Sequence, residues 1–255
     1  MIKSEKKKIL SALLVIAFGV SVFLAGYYGE YAGDTISPAA TLDLSQDSVA
    51  DEVKYRDESG EIKIDFELLQ AQNPDIYAWI TVPGTGIDYP VLQKSGTEDI
   101  YDNYYLDHKA DLSEGLPGAI YTQPVNSRDF KDSVTVLYGH NMKNGGMFSS
   151  LHEFEDSKFF EENRQVIIYT PDDTFIYEIF AAADFSDVLI PYEYDFTEDS
   201  EIRRYLEDVE SCKVNFRHET EVVSSDKILT LSTCYSGRDE NRLLIQAVLT
   251  EEIQA

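Results

Sequence analysis

A mainly β domain, closed or nearly closed into a barrel with helices inserted, is the fold class that this 255-residue sequence predicts. Strand-like runs recur about eight times, and they are short and evenly spaced, as in closed antiparallel architectures. Helical patterns interrupt that series without alternating strand by strand, so a parallel α/β sheet is disfavoured, and no internal repeat is present. A hydrophobic content of 43% with 17 tyrosines permits a packed core and argues against a globally disordered chain.

The first residues stand apart from this domain. Lys3, Lys6, Lys7 and Lys8 precede an uncharged apolar run, Ile9 to Gly26, and Tyr27, Tyr28 and Tyr31 follow it. At 1.5 Å per residue such a run reaches about 27 Å, close to the thickness of a bilayer core. The expected division is a cytoplasmic N-terminus at 1–8 and a signal-anchor span at 9–28, with the lysines inside and the tyrosines at the outer interface. A cleaved signal peptide would carry a shorter apolar core and a small-x-small site, which Leu24-Ala25-Gly26 matches poorly. Residues 29–61, Ser/Asp/Thr/Ala-rich from Gly33 to Ser59, read as an extracellular linker, and 62–255 as the folded domain.

Within that domain a helical pattern begins near Ile64, with Phe66, Leu68 and Leu69, and stops at Asn73-Pro74. Strands are predicted at Tyr77–Val82 and Ile87–Leu92 around the turn Pro83-Gly84-Thr85-Gly86, then at Ala119–Thr122 and at the β-branched Val134–Tyr138. Leu151, Phe154, Phe159 and Phe160 suggest one or two short helices between Met147 and Asn163. Gln165–Thr170 and Thr174–Ala183 form a hairpin around Pro171-Asp172-Asp173. An amphipathic helix, Glu198–Cys212, separates it from the last strands, Ile228–Thr233 and Leu243–Leu249.

The formal net charge is −26. Residues 1–26 hold four of the 21 basic and one of the 47 acidic side chains, so the remainder carries 17 against 46, a balance of −29. Such a surface repels nucleic acid and anionic lipid headgroups, and suits solubility in an anionic environment. Two cysteines, Cys212 and Cys234, are too few for a disulfide framework. With no C-x-x-C and no clustered histidine, a structural zinc site lacks ligands. Cys212 falls inside the predicted amphipathic helix and reads as a packing residue.

Cys234 is different. It ends a β-rich run and precedes the polar stretch Tyr235-Ser236-Gly237-Arg238-Asp239-Glu240-Asn241, and Arg242 opens the next run. A persistent thiol at a strand end near a cation suits a nucleophile, although a buried strand cysteine would pack as a small apolar residue. Among His108, His140, His152 and His218, His140 stands out because it closes a β-branched strand through Gly139 and precedes a Gly-rich loop, Asn141 to Gly146. His108, in Tyr104-Tyr105-Leu106-Asp107-His108, is the second choice. His152 and His218 flank helical patterns and read as surface. Of the two arginines, Arg238 lies mid-loop beside acids, while Arg242 abuts Leu243-Leu244-Ile245, so a strand fixes its backbone and its donor fork can be aimed.

The run Lys227–Leu249, with Thr230-Leu231-Ser232-Thr233-Cys234 and the short gap to Arg242, together with Val134-Thr135-Val136-Leu137-Tyr138-Gly139-His140, resembles the sortases. The Thr-Leu-Ser-Thr-Cys form is similar to class B. The resemblance spans Ile62 to Leu249. It implies an eight-stranded barrel with an N-terminal helix and a helix between the sixth and seventh strands. It also implies a catalytic set of His140, Cys234 and Arg242, and a peptide groove lined by Tyr138 and Ser232, by Asn103, and by Tyr235, whose backbone N–H would serve the oxyanion. Period-two geometry alone places Tyr138 and Ser232 on the faces that carry His140 and Cys234. Relatives often carry an acidic residue where this chain has Tyr235.

The implied activity is that of a membrane-anchored, extracytoplasmic cysteine transpeptidase. It would cleave a Thr-Gly or Thr-Asn bond in the C-terminal sorting signal of surface proteins, and pass the acyl group to an amine of a peptidoglycan precursor or to a pilin lysine. No metal or organic cofactor is needed. Two other readings stay open at this stage: a Cys/His peptidase or amidase that gives its acyl-enzyme to water, and an anchored binding module with a tyrosine-rich ligand surface.

Overall fold

The computed structural model describes residues 42–44 and 49–254, which belong to a unit beginning at Leu42. The expected membrane span at 9–28 lies outside the described residues. Among those described, no helix is long and apolar enough to cross a membrane.

The chain enters through a short helix, α1 (Val49–Val53), and a small hairpin, β1 (Lys54–Arg56) with β2 (Ile62–Ile64). Part of the segment expected to be a linker is therefore folded onto the domain. Leu42, Val49 and Val53 are buried with Trp79, Leu92 and Tyr121, and Lys54 Nζ reaches Asp88 and Thr81 Oγ1. The helix expected near Ile64 is α2 (Phe66–Gln72). Its start is set by Asp65, whose carboxylate accepts from the Leu68 N–H at 2.8 Å, a standard way of satisfying an unpaired amide of the first turn.

Nine further strands follow: β3 (Ile76–Thr81), β4 (Asp88–Leu92), β5 (Ile120–Thr122), β6 (Val134–Tyr138), β7 (Gln165–Tyr169), β8 (Asp173–Ser186), β9 (Lys213–Phe216), β10 (Ile228–Tyr235) and β11 (Arg238–Gln254). Eight of them close a barrel in the order β11-β10-β6-β5-β4-β3-β7-β8, and β8 pairs back onto β11. The outer edge of β8 is shared by β7 and then by β9, a strand that the sequence pattern did not mark. The predicted eight-stranded barrel is thus the observed one, and its sixth and seventh strands, β8 and β10, are separated by the expected helix.

Interior residues alternate along the strands. Leu229 and Leu231 of β10, Leu243, Ile245 and Ala247 of β11, and Leu137 of β6 point into a core shared with Phe130, Phe148, Phe154 and Phe175. A 3-10 turn, Ser149–Glu155, and α3 (Ser157–Glu162) cap one end of this core. The alternate residues of the same strands face outward, where α4 (Ile190–Glu193) and α5 (Asp199–Ser211) cover them. Ile202, Tyr205 and Val209 of α5, one face of a helix, are buried there against Val136, Ile228 and Leu244. A closed ring of hydrogen bonds registers the helix on the sheet. The Tyr205 hydroxyl donates to Thr230 Oγ1 (2.9 Å), Thr230 donates to Gln246 Oε1 (2.9 Å), and Gln246 Nε2 donates to Tyr205 Oη (2.8 Å). All three residues are buried, and each polar atom of the ring has a partner, as an apolar setting demands. The helix leaves the ends of β6, β10 and β11 uncovered.

Candidate active site

Three strand ends meet on the outer face of the barrel. β6 and β10 run parallel, with Ser232 opposite Tyr138, and the Gly139 N–H continues the ladder to the Ser232 carbonyl at 3.2 Å. Two residues beyond those partners stand Cys234 on β10 and His140 after β6. Period-two geometry keeps Cys234 on the face of Ile228, Thr230 and Ser232, the face that α5 covers further down. On the other side of β10, Cys234 is directly opposite Arg242 of antiparallel β11, a relation that puts the two Cβ atoms about 5 Å apart on one face. The register therefore sets Arg242 opposite Cys234, with His140 two residues past the end of the neighbouring β6 ladder.

Each of the three is held in place. Gly139 is required by space: a Cβ there would lie 2.7 Å from the Phe148 ring, so only glycine lets the chain pass and deliver His140. His140 Nε2 lies 2.7 Å from the Leu106 carbonyl oxygen, at the end of a 3-10 turn, Tyr104–Leu106. A carbonyl only accepts, so the proton sits on Nε2, and Nδ1 is the nitrogen left for proton transfer. The group that orients this histidine is thus a backbone carbonyl, which no sequence motif could reveal. Arg242 Nη1 donates to the carbonyls of Asp239 (2.7 Å) and Asn241 (2.9 Å), so the guanidinium is tethered at the mouth of the hairpin.

Cys234 is half-buried and is a free thiol, as is Cys212. Tyr121, buried beside it, has its phenol pushed well above the usual range, first by burial and then by the Cys234 sulfur. Cys212 at the end of α5 donates its thiol to the Asp208 carbonyl (3.2 Å). Burial, followed by the charges of Asp184 and Asp208, raises its pKa above the ordinary thiol value.

The remaining candidates fall in different places. Tyr138 is stacked on Tyr121, with centroids 5.4 Å apart, and packs against two apolar clusters, while Ser232 is only 5% exposed beneath the site. Asn103 is exposed at the start of the 3-10 turn whose Leu106 carbonyl holds His140. The Tyr235 side chain turns into the barrel core, and its hydroxyl donates to Glu155 Oε1 at 2.9 Å. Tyr235 is paired with Arg238 across the two-residue turn Ser236–Gly237, with Gly237 at φ 78° as such turns require. His108 is engaged elsewhere: its ring stacks on Tyr104 and its Nδ1 donates to the Tyr104 carbonyl at 2.9 Å.

Arg238, read from the sequence as a mid-loop residue beside acids, is an exposed ion-pair partner: it bonds Asp184 of β8 at 2.6 Å and lies over the Tyr235 ring. His152, expected at the surface, is drawn in: its Nε2 lies 3.1 Å from the Cys234 carbonyl. Asn141 does the same with its amide at 3.0 Å. Neither was singled out in the sequence, although Asn141 adjoins His140. Among the described residues, no group of three or more His, Cys, Asp or Glu side chains could hold a metal ion.

Comparison with known proteins decides the family. The Sortase domain matches residues 80–250, two thirds of the chain. The chain belongs to the sortase family. Its relatives place it in class B. It is 28% identical to sortase B of Listeria monocytogenes over 240 residues, covering 93% of this chain and 95% of that one. The crystal structure of Clostridium perfringens sortase B is 30% identical, with a TM-score of 0.66, covering 73% of this chain and all of that one. Sortase B of Bacillus anthracis gives a TM-score of 0.67 at 27% identity, over 91% of this chain. The general activity comes with the family: cysteine transpeptidation in the processing of surface proteins, outside the cytoplasm of Gram-positive bacteria.

Proposed function

We propose that this sortase cleaves the C-terminal sorting signal of surface proteins at Cys234 and transfers them to an amine of the cell-wall precursor. The juxtaposition of Cys234 with Arg242 across β10–β11, and with His140 along β6–β10, carries the reading. The Cys234 thiolate attacks the carbonyl of the threonine in a Thr-Gly or Thr-Asn bond. The fixed guanidinium of Arg242 donates to the oxygen as it becomes an oxyanion. The tetrahedral intermediate collapses by breaking the C–N bond. His140, protonated on both nitrogens, gives the Nδ1 proton to the leaving amine while Nε2–H stays on Leu106. A thioester remains. The incoming amine attacks it, His140 takes up the amine's proton, and the Cys234 thiolate departs as the new amide forms. The Tyr235 backbone N–H would join Arg242 at the oxyanion only by leaving its pairing with Arg238.

Tyr138, Ser232 and Asn103 are proposed to line the peptide groove, with Asn103 the most accessible of the three. The anchored arrangement is also a proposal: 1–8 cytoplasmic, 9–28 in the membrane, and the catalytic domain outside, led in by the rest of the N-terminal segment. The lysine bias and the length of the apolar run support it.

Incubating the enzyme with a sorting-signal peptide, with and without an added primary amine, tests the reaction type. Peptide–amine product that outruns the free acid supports transfer. Hydrolysis unchanged by amine would establish a peptidase instead. A pilin lysine as acceptor is the alternative within the same chemistry, and product analysis with a lysine-bearing pilin fragment distinguishes it.

A further inference from the structure

We propose that Asn141 and His152 are positioning residues for the nucleophile: Asn141 grips the Cys234 carbonyl, His152 holds Asn141, and together they keep the sulfur in register with His140. The inference rests on the reading of Cys234 and His140 as the reacting pair.

It begins from the backbone. Each carbonyl in a sheet needs a donor, and at Cys234 the ladder to β6 runs out. In the parallel β6–β10 ladder the Gly139 N–H donates to Ser232, and even spacing would next bring the Asn141 N–H to the Cys234 carbonyl. The chain instead turns away after His140 into the loop that returns at Met147. The Asn141 side chain fills the vacancy: its Nδ2 donates to the Cys234 oxygen at 3.0 Å. The second hydrogen of that amide goes to His152 Nε2 at 3.1 Å, which accepts it because the one imidazole proton sits on Nδ1, toward the Glu155 carboxylate.

His152 is itself fixed. Its Nδ1 faces Glu155 Oε2 at 2.9 Å, the other oxygen of Glu155 accepts the Tyr235 hydroxyl at 2.9 Å, and the imidazole meets the Tyr235 ring edge-on. The circuit Cys234 carbonyl, Asn141, His152, Glu155, Tyr235 thus starts and ends on adjacent residues of one strand. Two grips on successive residues prevent the strand end from rolling about its axis, the motion that would swing the sulfur away from His140 and Arg242. It also gives the Tyr235 side chain a use.

None of these groups reaches the reacting atoms, so their effect should be on orientation alone. The test compares His152→Leu, His152→Gln and Asn141→Ala in the full chain. It follows the rate of acylation by a sorting-signal peptide, KM, the melting temperature, and labelling of Cys234 by a small methanethiosulfonate. That reagent needs a thiolate but no aligned carbonyl. His152→Leu and Asn141→Ala should each slow acylation about tenfold or more, since small misplacements of reacting groups are costly, with KM and labelling unchanged. His152→Gln, whose amide oxygen can still accept from Asn141 Nδ2, should restore most of the rate. Wild-type acylation in His152→Leu overturns the proposal, as does failure of Gln to rescue. Equal loss of labelling and acylation with a lowered melting temperature also overturns it, because the contacts would then serve only the fold. Acylation that survives Cys234→Ala would instead overturn the reading on which the inference rests.

Discussion

Replacing Arg242 with alanine removes the only side chain directly opposite Cys234 that can donate to a developing oxyanion. The two carbonyls it releases, those of Asp239 and Asn241, lie at the exposed end of the hairpin and can be rehydrated, so stability should change little. The rate should not be spared. Loss of one oxyanion donor lowers rates by about 10²–10³, equivalent to roughly 2.7–4 kcal/mol of transition-state stabilisation. Because the interaction is made mainly in the transition state, kcat and kcat/KM should fall together. Lysine should rescue poorly, since a point charge cannot hold the two carbonyls and also present a spare donor. Arg238→Ala is the control. Its ion pair with Asp184 is solvent-exposed and its stacking on Tyr235 is peripheral, so a change of less than about threefold is expected. Steady-state transpeptidation of both variants on one substrate peptide decides the matter. A large loss at Arg238 with a mild one at Arg242 would refute the assignment, and would mean that the hairpin rearranges so that the earlier arginine serves Cys234.

Other expectations follow from the packing. A domain begun at Ile62 lacks the buried Leu42, Val49 and Val53, each worth about 1.5–3 kcal/mol, so urea unfolding should show a loss large against a total of roughly 5–15 kcal/mol; an unchanged midpoint would contradict the folded entry segment. Tyr205→Phe opens the buried ring with Thr230 and Gln246 and should cost about 1–3 kcal/mol by the same measurement, with the thiol chemistry intact. Cys212, whose pKa is raised by burial, should stay a thiol near neutral pH and be alkylated appreciably only as the pH passes above the ordinary thiol range; mass mapping that finds it the faster-labelled cysteine at neutral pH would contradict the described packing.

The elements that could be read from sequence are those whose residues alternate or repeat against a core. β6 was predicted with its observed bounds because Val134–Tyr138 is β-branched and buried almost throughout. The α5 helix was legible because Ile202, Tyr205 and Val209 fall on one face. β1 and β9 were not legible. Lys54–Arg56 is too short to show a pattern, and Lys213–Phe216 alternates for only four residues with Val214 left exposed, while β1 owes its place to Lys54 reaching Asp88, a contact between residues 34 apart. β11 runs beyond its predicted start because Arg238–Asn241 is polar on both faces of a projecting hairpin, which in sequence is indistinguishable from a loop. Within the site, Cys234, His140 and Arg242 could be chosen because each adjoins a strand with a strong pattern. The Leu106 carbonyl and the hold of Asn141 and His152 on the Cys234 strand end could not. Both are contacts between segments far apart in the chain, formed only when the barrel closes.

The central claim is that Cys234, and not Cys212, forms a thioester with a sorting-signal peptide. Intact-mass spectrometry of the enzyme quenched in acid during turnover, followed by peptide mapping, measures this directly. An adduct of the acyl fragment on the peptide containing Cys234, absent in Cys234→Ala and kept in Cys212→Ala, is the predicted result. An adduct on Cys212, or turnover by Cys234→Ala, would contradict it.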